Sequence, residues 1–215
     1  HTTVSFYVRA LRTIFNRAIK ANDIEKTLYP FGKDGYEVPA VKRVKKVLSR
    51  EQLKQLFEAK PKTPEQQKAK DFWFFSYSCY GMNIKDIAQL RYSQFAGNTL
   101  KFIRAKTQTT GKKKQKEVVV YLTDFAKGII EKYGNPNTHP KQFIFPILNE
   151  VTSEADKRTK VQNFTRFINQ NFKKMAVAEG ITADISTYWA RHSFATNAIR
   201  QRASMEFVSE ELSHT

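Results

Sequence analysis

The stretch "ISTYWARHSFATNAIR", residues 185–200, carries a charged side chain where a helical pattern calls for an apolar one. At about 100° per residue, its apolar residues form one arc of a helix: Ala190, Phe194, Ala195, Ala198 and Ile199. Arg191 lies near the middle of that arc. A guanidinium is always charged and is rarely buried without a partner, so the pattern predicts a helix over 188–201 whose arginine is paired with an anion. That anion is either a carboxylate of the protein or a phosphate of a bound molecule.

The charge of the whole chain makes the phosphate at least as good a partner as the carboxylate. Among 215 residues, Lys and Arg number 37 and Asp and Glu 20, for a formal charge of +17. Such an excess predicts a polyanionic partner, with nucleic acid favoured over an anionic membrane surface. The strongest apolar run, "FWFF" at 72–75, is far shorter than the roughly 20 residues that span a bilayer, so no membrane partner is expected. The single cysteine, Cys79, permits no internal disulfide and suits a reducing cytoplasm.

The periodicity predicts a mainly α-helical protein of the α+β class with one small antiparallel hairpin. Helices are predicted at 2–21, from the capping box at Ser49, from the cap at Thr63, and over 84–90, 124–133, 160–179, 188–201 and from Ser204. The strands "LKFIRAK" (100–106) and "EVVVYL" (117–122) flank a turn rich in lysine. The Gly- and Pro-containing basic stretch at 31–47 reads as a linker, which divides the chain into 1–30, 31–47 and 48–215.

Two motifs carry polar side chains that suit either structure or chemistry. In "GMNIKDIAQLR", 81–91, Asn83 and Asp86 stand in the relation of a helix capping box, and a cap and a catalytic role are about equally good interpretations. Lys106 ends the first strand and is therefore held in a fixed direction, as general acid work requires. The lysines of the turn form either a solvated loop or a track for a DNA backbone.

Several common kinds of catalytic machinery are absent from the sequence. It has no Gly-rich phosphate loop, no Cys/His pair at zinc spacing and no acidic cluster of the two-metal type. We therefore expect chemistry on phosphodiesters, if any, to need neither metal nor cofactor.

Four motifs in order, "GMNIKDIAQL", "RAKT", "YWARHSFAT" and "LSH", resemble the catalytic domain of the tyrosine recombinases, the phage-type and transposon integrases. The resemblance covers 49–215 and implies that 1–30 is the end of a helical core-binding domain. It implies a tyrosine that attacks a DNA phosphodiester and forms a 3′-phosphotyrosyl link, without ATP or metal. Arg191 matches the second active-site arginine, Lys106 the proton donor, and His214 the histidine of the Leu-Gly-His motif. Asp86 matches a supporting acidic residue.

The chain departs from the family pattern at three places. Asn83 occupies the position of the first arginine, and Tyr188 that of the histidine three residues before the second; a bacterial branch of the family resembles the chain at both. Arg91 or Arg104 is the candidate to restore the missing charge. The family's nucleophile lies about nine residues beyond the last histidine, whereas no tyrosine follows Tyr188 here. We therefore expect a fragment, C-terminally incomplete, that binds DNA but does not cleave it.

The resemblance also implies partners and a location. Double-stranded DNA is the expected ligand, contacted by basic residues of the linker, hairpin and site: Lys42, Arg43, Lys45, Lys46, Arg91, Arg104, Lys112, Lys113, Lys114, Lys116 and His192. Recombination implies a tetrameric synapse of the full-length protein, with this fragment monomeric, in the bacterial cytoplasm at the nucleoid.

Two other classes of function remain open at this stage. A non-catalytic nucleic-acid-binding module would expose aromatic side chains among basic ones, whereas the 17 Phe mostly follow core spacing. A type IB topoisomerase shares the chemistry but normally retains the first arginine.

Overall fold

The computed structural model describes residues 2–32, 35–38, 46–105, 117–151 and 153–211. The chain forms two compact units, residues 1–45 and 46–215. No helix in the described ranges is both long enough and apolar enough to cross a membrane.

The first unit contains one α-helix, a short 3₁₀ helix at Lys26–Leu28 and an aromatic cluster. Helix α1 spans Thr2–Lys20, in agreement with the predicted helix. The ring of Phe31 is buried and makes edge contacts with Phe15, Tyr29 and Tyr36, at centroid distances of 5.9, 5.6 and 6.5 Å. Much of the apolar surface of α1 remains exposed.

The second unit is mainly helical with a small antiparallel sheet, as predicted. Its helices are α2 (Arg50–Glu58), α3 (Pro64–Ser78), α4 (Ile84–Gln89), α5 (Asp124–Tyr133), α6 (Glu154–Ala178), α7 (Thr187–Arg200) and α8 (Met205–Glu211). The strands β1 (Phe95–Ala96), β2 (Thr99–Ile103) and β3 (Glu117–Tyr121) form a sheet in the order β1-β2-β3. Leu100 of β2 pairs with Val120 of β3, and both side chains are fully buried.

Helix α6 and strands β1 and β2 depart most from the sequence-based prediction. Helix α6 begins at Glu154, six residues before the predicted start, because Ser153 caps a polar first turn in which no apolar stripe marks the helix. Strand β2 ends at Ile103 rather than at 106. Strand β1 was not predicted, since two residues are too few for any alternation to show.

The predicted helix caps at Ser49, Thr63 and Ser204 are confirmed. Ser49 and Gln52 make both hydrogen bonds of a capping box at the start of α2. The Thr63 hydroxyl accepts from the Gln66 N–H, and the Ser204 hydroxyl accepts from the Phe207 N–H at 3.0 Å.

Helix α3 forms the centre of the core, as its nearly continuous apolar run predicts. Phe72, Trp73 and Phe75 are each at most 1% exposed. The Trp73 ring stacks on Phe172 of α6 at 4.7 Å, with the two planes 4° apart. Most of the aromatic side chains here therefore fill the core and are not available as stacking platforms for bases. Cys79, after the end of α3, is buried, and burial raises the pKa of its thiol to about 12.

Candidate active site

The N-terminus of α7 is held by two other helices rather than by its own cap residue. Ser186 occupies the N-cap position, but its side chain makes no capping hydrogen bond. Instead the Thr187 N–H donates to Asn169 Oδ1 of α6 at 2.8 Å. The Ser186 carbonyl accepts from the Trp73 indole N–H of α3 at 3.1 Å. The position at which α7 begins is thus fixed by the core.

Arg191 of α7 is buried, as the sequence pattern predicts, with 7% of its surface exposed. Its Nη1 donates to the carbonyl oxygen of Gly81, in the turn between α3 and α4, at 3.3 Å. A carbonyl carries only a partial charge, so this bond orients the guanidinium without neutralising it. The predicted apolar arc around it is incomplete, because Ile199 is 41% exposed.

Tyr188 and His192 accompany Arg191 on the first turns of α7. Their rings meet edge to face, with centroids 4.4 Å apart and planes at 88°. Tyr188 is half exposed, so its hydroxyl is available to a ligand from solvent. Because residues three and four apart share one side of a helix, Tyr188 lies beside both Arg191 and His192.

Asn83 does not cap α4 in the way that the sequence suggests. Its backbone takes the extended N-cap conformation, but its side chain makes no capping hydrogen bond. The side chain is bonded to the carboxylate of Asp86 instead. The interpretation of Asn83 as a side-chain cap was therefore wrong, and its amide N–H instead donates to a buried carboxylate one turn along.

Asp86 connects α4 to the segment that follows β2. The carboxylate is 6% exposed, and its Oδ1 accepts from the Ala105 N–H at 2.9 Å. Burial raises the pKa of Asp86 above its ordinary value, although the Ala105 N–H and the charge of Arg104 act in the opposite direction. Arg104 is also buried, at 6% exposed. The backbone is thereby fixed at the residue directly before Lys106.

Arg91 lies against a different set of groups. Its guanidinium covers the ring of Phe143 at 3.9 Å, donates to the Lys141 carbonyl and lies 3.9 Å from Glu150 Oε1. It also lines an open groove of about 490 Å³ with Lys85 and Gln89 of α4 and Lys157 of α6. These contacts hold the Arg91 side chain in place through an aromatic ring and a carboxylate.

Some of the predicted residues lie outside the described part of the chain: Lys42, Arg43, Lys45, Lys106, Lys112, Lys113, Lys114, Lys116 and His214. Lys46 is described and is exposed. Within the described ranges no three His, Cys, Asp or Glu side chains are grouped as a metal site would require.

Three groups at the site were not identified from the sequence: the Gly81 carbonyl, the Asn169 amide and the Trp73 indole. In the sequence, Gly81 stands out only as the first residue of the motif at 81–91, and Trp73 only as part of the apolar run at 72–75. Asn169 lies in an ordinary helical pattern with no local signal. Their roles depend on contacts across 18 to 113 residues of chain.

Comparison with known proteins places the chain in a family. Residues 46–215 match the model of the phage integrase family. The chain therefore belongs to the phage integrase family.

The relatives agree with this assignment. A tyrosine recombinase from Thermosipho africanus (strain TCF52B) is 23% identical over 215 residues, which are the whole of this chain and 68% of the relative. The crystal structure of XerA recombinase matches 95% of this chain at 18% identity and a TM-score of 0.54. The chain covers 65% of the XerA structure's length.

The Tn1549 transposon integrase has the same fold. Its complex with a circular intermediate DNA matches the whole of this chain, and 72% of the integrase chain, at 12% identity and a TM-score of 0.65. Its complex with transposon right end DNA matches 96% of this chain, and 69% of the other, at 14% identity and a TM-score of 0.64.

Proposed function

We propose that this chain is the DNA-binding and active-site part of a site-specific recombinase of a bacterial mobile element. The full protein cuts and rejoins DNA through a 3′-phosphotyrosyl intermediate. The observation that carries the proposal is the buried, oriented guanidinium of Arg191 beside the exposed Tyr188 on one helix of a phage integrase fold. The 215 residues bind duplex DNA through this site.

Arg191 binds the scissile phosphate in this proposal. A planar guanidinium donates two parallel hydrogen bonds to phosphate oxygens and stabilises the charge that develops on the pentavalent phosphorus. Tyr188, in place of the family's histidine, donates its hydroxyl hydrogen to a phosphate oxygen. His214 serves as a further donor to the phosphate.

Asp86 acts on the proton donor through the backbone. Lys106 protonates the leaving 5′-oxygen. Asp86 accepts from the N–H of Ala105, the residue before Lys106 in the sequence.

Arg104 supplies the charge that the family's first arginine provides elsewhere. It lies two residues before Lys106 and is coupled to Asp86, which is in turn bonded to Asn83. Arg91 is the weaker candidate, because Phe143 and Glu150 already engage its guanidinium. Asn83 then has a supporting role: it helps to orient Asp86.

The remaining assignments follow the same proposal. Residues 1–30 form the end of a core-binding domain, 31–47 a linker that contacts the duplex, and 48–215 the catalytic domain. Phosphates of the DNA backbone are bound by the linker, the hairpin and His192, with a steep salt dependence. The full protein acts as a tetramer on two duplexes at the bacterial nucleoid, and the 215-residue chain is a monomer.

The test measures binding of the chain to duplex DNA over a salt series, for the wild type, Arg191→Ala and a matched control, Arg200→Ala. Arg200 is an exposed arginine at the end of the same helix. We expect Arg191→Ala to weaken binding by about tenfold or more, because a charge-assisted contact to phosphate is lost, and Arg200→Ala to have a much smaller effect.

Three results would contradict the proposal in different ways. Equal effects of the two substitutions would remove the special role of Arg191 and leave a non-catalytic DNA-binding module. Weak salt dependence would remove DNA as the partner. Relaxation of supercoiled plasmid without exchange of strands would indicate a topoisomerase instead.

A further inference from the structure

The turn between α3 and α4 has an unusual backbone conformation directly beside Arg191. Tyr80 and Gly81 both have positive φ angles, +58° and +71°. A tyrosine in the left-handed region is uncommon, because its Cβ approaches the backbone closely. The surrounding structure must therefore stabilise this turn.

Four contacts hold the turn in this conformation. The Ser76 hydroxyl donates to the Met82 carbonyl at 2.6 Å. The Met82 N–H donates to the carbonyl oxygens of Ser76 and Cys79, both at 3.1 Å. The Tyr80 ring stacks on Phe194 of α7 at 5.3 Å, with the planes 17° apart. The turn is thus tied both to α3 and to the helix that carries Arg191.

Gly81 is the point of closest approach between the turn and α7. A Cβ built at Gly81 would lie 2.6 Å from the Arg191 Cα and 3.0 Å from its Cβ and Cγ. Two of these atoms belong to the start of the arginine side chain, which cannot move without moving the guanidinium. The absence of a side chain at Gly81 therefore lets its carbonyl reach Arg191 Nη1 at 3.3 Å.

We propose that Gly81 is a positioning residue for Arg191. The Gly81 carbonyl sets the direction of the guanidinium, and the lack of a side chain at Gly81 permits the close contact with α7. Ser76 and Tyr80 act with it by holding the turn. The same turn continues into Asn83 and α4, so the segment that contacts Arg191 leads directly into the helix that carries Asp86. The positioning itself is independent of the ligand, and only its effect on DNA rests on the proposed function.

The chain contains a matched control for the conformational part of this role. Gly97 also has a positive φ, +59°, but a Cβ there would meet nothing within 4 Å. Gly97→Ala therefore imposes the same kind of left-handed strain as Gly81→Ala without the contact to Arg191.

The first measurement is the side-chain Nε–Hε NMR signal of Arg191 in chain labelled with ¹⁵N-arginine, identified by its loss in Arg191→Ala. We expect Gly81→Ala to shift this signal and to speed its hydrogen exchange about tenfold, because the hydrogen bond from the guanidinium to the Gly81 carbonyl is disturbed. Gly97→Ala should leave the signal unchanged. An unchanged Arg191 signal in Gly81→Ala overturns the proposal.

The second measurement is a double-mutant cycle on affinity for duplex DNA. Gly81→Ala should weaken binding about tenfold when Arg191 is present and less than about twofold in the Arg191→Ala background. Equal losses in both backgrounds mean a general structural defect and also overturn the proposal. Gly81→Ala can shift the Arg191 signal while Arg191→Ala leaves the affinity for DNA unchanged. That result supports the positioning role of Gly81 and refutes the assignment of Arg191 to DNA phosphate.

A milder variant covers the case in which Gly81→Ala does not fold. Ser76→Ala removes one hydroxyl from the turn and adds no bulk. It should shift the Arg191 signal and weaken DNA binding about threefold, again only when Arg191 is present. No change in the signal would contradict the role of the turn.

Discussion

Asp71 and Asp86 are carboxylates buried to nearly the same degree, at 5% and 6% exposed, but their partners differ. Asp71 of α3 accepts from the side chains of Lys132, Tyr133 and Gln67 at 2.7 to 2.8 Å. Asp86 accepts from the Ala105 N–H and the Asn83 side chain and lies near the charge of Arg104, and burial still raises its pKa.

The difference between the partners of Asp71 and Asp86 shows that a buried carboxylate can serve either the core or a candidate functional site. The Asp71 group joins α3 to α5 with a direct ion pair and full hydrogen bonding, which holds the core together. The Asp86 carboxylate loses its hydration on burial, and its hydrogen bonds replace that hydration only in part. In return, its hydrogen bond from the Ala105 N–H fixes the backbone at Ala105. A buried charge that is only partly compensated is typical of a functional site.

The largest expected effect comes from removing the structural carboxylate. Asp71→Ala leaves the partly buried Tyr133 side chain and Gln67 without their acceptor, while the half-exposed Lys132 can turn to water, so we expect a loss of about 2–3 kcal/mol in the free energy of unfolding. Urea denaturation measures this change. The control is Asp184→Ala, which removes an exposed carboxylate 2.6 Å from Lys173 and should have a much smaller effect. Similar losses for both variants would refute the structural role of the Asp71 group.

A smaller effect on stability is expected from a buried side-chain amide that contacts neither Asp71 nor Asp86. Asn197 of α7 is 3% exposed, and among the described residues its Oδ1 and Nδ2 have no hydrogen-bond partner. Asn197→Leu keeps the branched shape and removes the unsatisfied polar atoms, so we expect stabilisation by about 1–2 kcal/mol. One turn earlier, the Ser193 hydroxyl accepts from the Leu48 N–H at 2.9 Å, and Ser193→Ala should destabilise by about 1 kcal/mol. Thermal denaturation of both variants tests the contrast, which fails if Asn197→Leu also lowers stability.

The smallest expected effect on stability is that of Asp86, the carboxylate at the candidate site, and it depends on pH. A pKa raised in the folded state means that native Asp86 binds its proton more tightly than the unfolded chain does. Its contribution to stability is therefore full below the ordinary value of 3.8 and is lost as the pH rises through the raised pKa. The Asp86→Asn variant keeps an acceptor oxygen but does not titrate, so it does not lose stability as the pH rises.

Relative to the wild type, the Asp86→Asn variant should thus become more stable as the pH rises from about 4 towards neutrality. Urea midpoints at a series of pH values measure this difference. A difference that does not change with pH, or that changes in the opposite direction, would show that Arg104 and the Ala105 N–H fully compensate the burial of Asp86.

Local patterns in the sequence were sufficient for most of the fold. Helix α5 has the predicted bounds, and α7 differs from its prediction by one residue at each end. The caps at Ser49 and Thr63 bond to residues only three positions away, so both partners can be identified from one short stretch of sequence. The burial of Arg191 was likewise visible, because it breaks an apolar arc on its own helix.

The side-chain role of Asn83 could not be predicted in this way. The spacing to Asp86 fits a capping box, and the alternative that formed requires Asp86 to be buried against Ala105, nineteen residues along the chain. A local pattern does not contain that contact.

The sequence by itself determined the helices, the hairpin strands, the basic charge and the family resemblance, because each depends on composition or on neighbours within one or two turns. Only the tertiary structure decided what orients Arg191 and what Asp86 holds. Both depend on close approaches of backbone groups, the Gly81 carbonyl and the Ala105 N–H, that are far apart in the chain. Every residue carries such groups, so their identity leaves no mark in the sequence, and only packing selects the ones that are used.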